Sequence, residues 1–291
     1  MLVDTHTHAW TTPSAEHPWV NDRVTEVTGE FSVDLVYTAE KLVADMDRHG
    51  VDRAVVVAYA LTDWRDNSYP LAAVAEYDRL DAVVMVDPFA DDAAATLRAA
   101  MDREGVLGIR LGGACPYDRM WRTFDPGADW LERSVDETDF WEAAVETDAV
   151  VQLLVHDAQL DQALALAESY PELRYLLDHF ALTDPTVDPG TGAFARLAAF
   201  ADYDAAVKIS EAAHRSEQAF PYRDLHGHVR WLIETFGRER VIWGSDFPNV
   251  SDAATYAEAI HWLDRVEGLS EPDREWLRGR AFEALVAVGS R

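Results

Sequence analysis

Short runs rich in Val, Ile and Leu recur along the chain, and most are followed by a stretch whose apolar residues fall at helical spacing. The runs predict strands at Leu2–His6, Ala54–Ala58, Ala82–Val86, Val106–Leu111, Val150–Val155, Leu173–Asp178, Ala205–Ile209 and Val241–Trp243. The intervening periodicity predicts helices over Ala39–Arg48, Ala93–Arg103, Asp139–Thr147, Gln159–Ser169, Phe194–Ala201, Val229–Phe236 and Ala254–Val266. Near-continuous apolar strands suit a parallel sheet buried on both faces. Eight strand–helix units within 291 residues predict one α/β domain, a (β/α)8 barrel of the TIM type spanning 1–291. An open doubly wound sheet is the alternative, but no glycine-rich phosphate loop follows the first run.

Three segments exceed the bare repeat: Trp10–Asp34, Gly112–Trp130 and Ser210–Arg223. Each follows a strand, which puts it on the C-terminal face, where barrels of this kind keep their chemistry. The tail from Ser270 reads as a last helix, with Ser270 as N-cap and Asp273 in the capping-box position.

Composition narrows the class. Hydrophobic residues make up 48% of the chain, so it is globular rather than disordered. No window approaches the roughly 18 apolar residues of a membrane span. The first strand begins almost at residue 1, leaving no room for a signal peptide, and a cytoplasmic location is expected. Cys115 is the sole cysteine, which excludes an intramolecular disulfide and a thiolate zinc cluster. The acids number 53 against 25 Lys and Arg, a formal net charge of −28, and the only lysines are Lys41 and Lys208. Such a charge repels itself unless salt screens it, a pattern expected of a halophile. Its sign argues against nucleic acid and anionic membranes as partners. A small molecule is the expected partner, and a homodimer is an open possibility.

Asp4-Thr5-His6-Thr7-His8 carries the clearest chemistry. Residues two apart on a strand point the same way, so His6 and His8 aim at one place, as a divalent metal with nitrogen ligands requires. The pattern alone is weak. Further down, strand five runs out at His156, strand six at His179, and strand eight leads into Asp246. In a closed barrel strands one and eight are neighbours and strands five and six lie across the mouth, so four His and one Asp can converge.

These residues resemble the amidohydrolase superfamily, and within it the amidohydrolase-related branch that includes aminocarboxymuconate-semialdehyde decarboxylases and lactone hydrolases. The resemblance covers nearly the whole chain. It rests on Asp4-Thr5-His6-Thr7-His8, Gly50-Val51-Asp52-Arg53-Ala54, Leu177-Asp178-His179, Val207-Lys208-Ile209-Ser210, and Phe236-Gly237 leading to Gly244-Ser245-Asp246-Phe247-Pro248. It implies that His6, His8, His156 and Asp246 hold one divalent ion, zinc ahead of manganese, with His179 beside it. A bridging carbamylated lysine would stand near the end of strand four, but Arg110 is there, which argues against a binuclear site.

A metal in such a site lowers the pKa of bound water toward about 7. Asp246 is then the natural proton acceptor, and His179 a group to polarise a carbonyl. Arg110 is placed to clamp a substrate carboxylate, Lys208 to touch substrate or brace the barrel, and Tyr117 and Trp121 to line an apolar pocket. Set against this, Arg110 and Lys208 could be salt-bridged barrel residues, the aromatics ordinary core, and His156 a loop residue. The leading expectation is a metal-dependent hydrolase of a small carboxylate-bearing lactone, ester or amide. The rivals are a non-oxidative decarboxylase on the same ligands and an inactive barrel kept as a binding protein.

Overall fold

The computed structural model describes residues 1–21 and 36–287. Eight parallel strands run in sequential order: β1 Val3–Thr7, β2 Arg53–Val57, β3 Leu80–Val84, β4 Val106–Leu111, β5 Val150–Leu153, β6 Arg174–Leu177, β7 Ala205–Ile209 and β8 Val241–Trp243. All eight predicted strands are present, β4, β7 and β8 with the predicted bounds and the other five displaced by one or two residues at their ends. Ladders join each strand to the next, and the ring closes just past β8: Asp246 N donates to His6 O at 2.8 Å and His8 N to Phe247 O at 2.9 Å. This is the (β/α)8 barrel that the alternation predicts.

Closure demands a glycine. At Gly244 a Cβ would lie 2.7 Å from His6 Cβ and 2.8 Å from His6 N, so any side chain would push β1 away from β8. The β1–β2 register also slips by one between Asp4 and Thr7. Such bulges bend a strand and re-aim its side chains. Here Asp4 accepts from Ser245 N at 2.8 Å and from Tyr256 OH at 3.0 Å, tying the β1–β8 seam, while His6 turns toward Asp178 and Asp246.

The principal helices are α1 Ala39–His49, α2 Ser68–Glu76, α3 Ala93–Met101, α4 Thr138–Glu146, α5 Leu160–Ser169, α6 Gly192–Arg196, α7 His226–Phe236 and α8 Tyr256–His261. Thr38 caps α1, and Gly50 ends it in the left-handed region at φ 69°. The predicted helices at Phe194–Ala201 and Ala254–Val266 each break in two, α6 and α8 passing into 3-10 turns over Leu197–Asp202 and Trp262–Arg265. Helix α2 is absent from the periodicity: Tyr69-Pro70-Leu71-Ala72-Ala73-Val74 is apolar on every side and interrupted by proline. Ser270 caps the tail helix, with Asp273 completing the box as expected.

The larger core fills the space between strands and helices, built on residues such as Leu42, Ile109, Leu166, Val229 and Trp243. A smaller one fills the lower barrel: Val3, Val55, Val57, Val83, Val150, Leu176, Ala206 and Ile242, closed from beneath by Ala281 and Phe282. Above that layer the interior turns polar, with Arg110, Gln152, Asp178 and Lys208 all buried. Of the three long segments, Gly112–Trp130 carries a 3-10 turn at Tyr117–Arg119, and Ser210–Arg223 a short helix at Ala212–Arg215. Residues 22–34 of the first lie outside the described residues. Among the described residues no helix is long and apolar enough to cross a membrane.

Candidate metal centre

His6, His8 and Asp246 meet at the C-terminal end of the barrel, all essentially excluded from solvent. His8 Nδ1 lies 2.8 Å from Val57 O. A carbonyl only accepts, so a ring proton sits on Nδ1, and Nε2 faces Asp246 Oδ1 at 3.0 Å. His6 Nε2 faces the same oxygen at 3.5 Å and is buried without a hydrogen-bond partner. Two ring nitrogens converging on a carboxylate oxygen are held by a proton or a cation among them. This donor set, two imidazole nitrogens and one carboxylate oxygen, fits a divalent ion. His6 Nδ1 lies 3.2 Å from the Lys208 ammonium and 3.5 Å from Asp178 Oδ1, a buried oxygen without a hydrogen-bond partner.

Behind the pair stands a charged floor. Asp178 accepts from Arg110 Nε at 2.9 Å and Gln152 Nε2 at 3.0 Å, with Lys208 Nζ 3.5 Å away. Lys208 Nζ also donates to Thr5 O at 3.0 Å and Gln152 Oε1 at 2.9 Å. Burial opposes ionisation of Asp178, but Lys208, His6 and Arg110 overcome it and hold the carboxyl well below the usual range. Burial also brings Lys208 down to about 8, against the pull of Asp178. The same balance governs Asp246: burial raises it, while His179, His8 and His6 carry it below the ordinary carboxylate range.

His179 lies with its ring centroid 4.6 Å from that of His6. Its Nδ1 is 2.9 Å from Ser210 Oγ, and its Nε2 is 3.4 Å from Arg110 NH2. Burial lowers its pKa, against the pull of Glu211, Asp246 and Asp178. Its backbone opens a left-handed turn, His179–Leu182, with φ between 49° and 56° at every residue. L-residues pay roughly 1–2 kcal/mol each for that region, and such strain gathers at functional sites.

The expected site residues divide. His6, His8, His179, Asp246 and Lys208 come together. Arg110 joins them, but its Nε–NH2 edge is turned to Asp178 and His179 and its guanidinium stacks 4.7 Å above Trp121, so the expected carboxylate clamp is not the arrangement found. Trp121 therefore borders the floor. Tyr117 stands apart, its hydroxyl donating to Asp87 at 2.6 Å and its ring against Phe89 and Trp130. His156 belongs to neither group of potential metal donors. Strand β5 ends at Leu153, and His156 caps the turn Asp157–Gln159 with its ring 6.0 Å from Phe124; the β5 side chain in the polar floor is Gln152. Sequence reasoning gave no role to Asp178, Gln152, Ser210, Tyr59 or Asn249. The last two form a chain, Tyr59 OH to Asn249 Oδ1 and Asn249 Nδ2 to Asp246 Oδ2, each 2.8 Å. For Asp178 a signal existed, since it adjoins His179.

The family model described as amidohydrolase matches residues 3–281. The L-fucono-1,5-lactonase of Burkholderia ambifaria is 29% identical over 270 residues, covering 90% of this chain and 85% of the relative. Among solved structures, a zinc-bound amidohydrolase from Burkholderia multivorans superimposes with a TM-score of 0.77 at 20% identity, covering 99% of both chains. A manganese-bound dihydroxybenzoic acid decarboxylase from Polaromonas sp. JS666 gives 0.69 at 15% identity, over 100% of this chain and 98% of that one. At these identities the two structures speak for the fold.

Proposed function

Since the chain belongs to the amidohydrolase family, we propose that it is a metal-dependent hydrolase that opens a small lactone. The observation that carries this reading is the convergence of His8 Nε2 and the orphaned His6 Nε2 on Asp246 Oδ1, a donor set that fits a divalent ion. A divalent ion held by His6, His8 and Asp246, zinc or manganese, would supply Lewis-acid polarisation of the carbonyl and water activated at neutral pH. Asp246, kept ionised by its histidines, accepts the proton of the attacking water and returns it to the leaving ring oxygen. His179 polarises the carbonyl oxygen, its ring oriented by Ser210. Arg110 and Lys208 hold Asp178 ionised behind His6.

Hydrolysis is favoured over decarboxylation because the lactonase is the relative that shares most sequence among those above. Acid release from L-fucono-1,5-lactone above the uncatalysed rate, abolished by Asp246→Asn, is the expected result. Carbon dioxide release from a dihydroxybenzoate, with no acid release from the lactone, would favour the decarboxylase.

A further inference from the structure

Strand β2 supplies none of the three metal donors, yet its end holds two of them in place. Val57 O, the last carbonyl of the strand, faces His8 Nδ1 at 2.8 Å and so turns Nε2 toward Asp246. Two residues on, the Tyr59 ring lies against the His8 ring with centroids 4.4 Å apart. Trp10 stacks on Tyr59 at 5.2 Å, with 15° between the planes. The Tyr59 hydroxyl reaches across to the loop after β8, where it donates to Asn249 Oδ1 at 2.8 Å.

Asn249 Nδ2 in turn donates to Asp246 Oδ2 at 2.8 Å. The direction of this chain is fixed. An ionised carboxylate only accepts, so the amide nitrogen faces Asp246, the amide oxygen faces Tyr59, and the phenol is the donor. Burial and the Asp246 charge both push the phenol pKa up, which keeps that proton in place. Asp246 needs such a chain for a torsional reason. The last torsion of an aspartate is a broad, roughly two-fold well, so the backbone alone does not decide which oxygen meets the histidines. The backbone fixes only where the group starts: Asp246 N donates to His6 O at 2.8 Å, and φ is 63°. Asn249 decides the rest. It keeps Oδ2 on itself and leaves Oδ1 3.0 Å from His8 Nε2 and 3.5 Å from His6 Nε2.

We propose that Tyr59 and Asn249 are positioning residues of the metal centre: the Tyr59 hydroxyl sets the Asn249 amide, and the amide holds the Asp246 carboxylate with Oδ1 toward the histidines. This rests on reading His6, His8 and Asp246 as the metal centre of a hydrolase. Neither side chain is one of the three donors, so each acts through Asp246. Hydrogen-bond partners of metal ligands are worth about 10–100-fold in metal affinity or activity. The two links are in series, so what Tyr59 contributes passes through Asn249.

Zinc affinity of the full chain, read by competition with a chromophoric chelator, tests this apart from turnover. Asn249→Leu, close in size and unable to donate, is expected to bind zinc about 10–100-fold more weakly. Tyr59→Phe keeps the ring against His8 and loses only the hydroxyl, at a cost of about threefold to tenfold, the worth of one hydrogen bond. The double variant matches Asn249→Leu within about twofold, since the hydroxyl then has nothing left to act through. With zinc saturating, kcat on a lactone falls in the same order while KM stays within about threefold. The melting temperature of the metal-free chain separates out a structural role. A fall there with zinc affinity within about threefold of wild type in both single variants overturns the proposal. So do effects of the two changes that multiply in the double variant. If the wild type opens lactones and the variants keep its zinc affinity, the hydrolase reading stands and the positioning role fails. If zinc binding weakens in the predicted order but no lactone is opened, the positioning role stands and the hydrolase reading fails. A wild type that binds no zinc overturns both.

Discussion

His8 Nε2 and Asp246 Oδ1 stand 3.0 Å apart with the His8 proton committed to Val57 O on the opposite ring nitrogen. The contact is held by a proton or by a cation between the two groups. Asp246→Asn makes the bridge unnecessary, because an amide donates to His8 Nε2 while its oxygen accepts from Asn249. This variant should keep the wild-type melting temperature in metal-free buffer and lose at least about 100-fold in lactone turnover, the least that an absent proton acceptor costs. A large drop in melting temperature would show that the carboxylate is structural.

Gly244 sits where β8 meets β1, with room for no side chain beside His6. Gly244→Ala should destabilise the fold by about 1–3 kcal/mol, as overpacking does. It should also weaken metal binding more than a surface substitution of equal ΔΔG, since the displaced backbone carries His6. Urea unfolding and metal titration on the same variant check both.

Arg110 and Asp178 form an ion pair with almost no exposure. Removing one partner of such a pair strands the other, at about 3–5 kcal/mol. Arg110→Met should show that loss in denaturant unfolding. The double change Arg110→Met with Asp178→Leu should recover part of it, giving a double-mutant coupling well above that of an exposed pair.

His214 is raised to about 9 by the Glu211 carboxylate 3.6 Å from its Nδ1, burial opposing and the hydrogen bond to Asp252 assisting. A histidine whose folded pKa exceeds its unfolded value, about 6.5, stabilises the fold fully below that unfolded value. The contribution fades as pH rises through 9. The melting-temperature gap between wild type and His214→Gln should therefore be widest below pH 6.5 and close by about pH 10. A gap that grows with pH would have the wrong sign.

Much of this was legible before any coordinates. Near-continuous apolar runs such as Val150–Leu153 and Ala205–Ile209 declare buried parallel strands, and His6-Thr7-His8 marks the strand end where donors gather. What stayed hidden was three-dimensional. Helix α2 lacks a polar face, so periodicity does not reveal it. His156 looked like a continuation of β5, but the strand stops at Leu153 and the chain turns outward, leaving Gln152 in the floor. Arg110, written in one letter, gives no sign that Asp178, 68 residues later, takes up its charge. Left-handed backbone at Glu211 and Asp246 has no glycine to announce it.

The most direct measurement is metal content by mass spectrometry after zinc loading and exhaustive dialysis, for the wild type, His8→Ala and Asp246→Ala. The account predicts about one ion per chain in the wild type, with a rise in melting temperature on loading, and no retained ion in either variant. A wild type that retains no ion after loading, or variants that retain it undiminished, would contradict the assignment of His6, His8 and Asp246 as a metal centre.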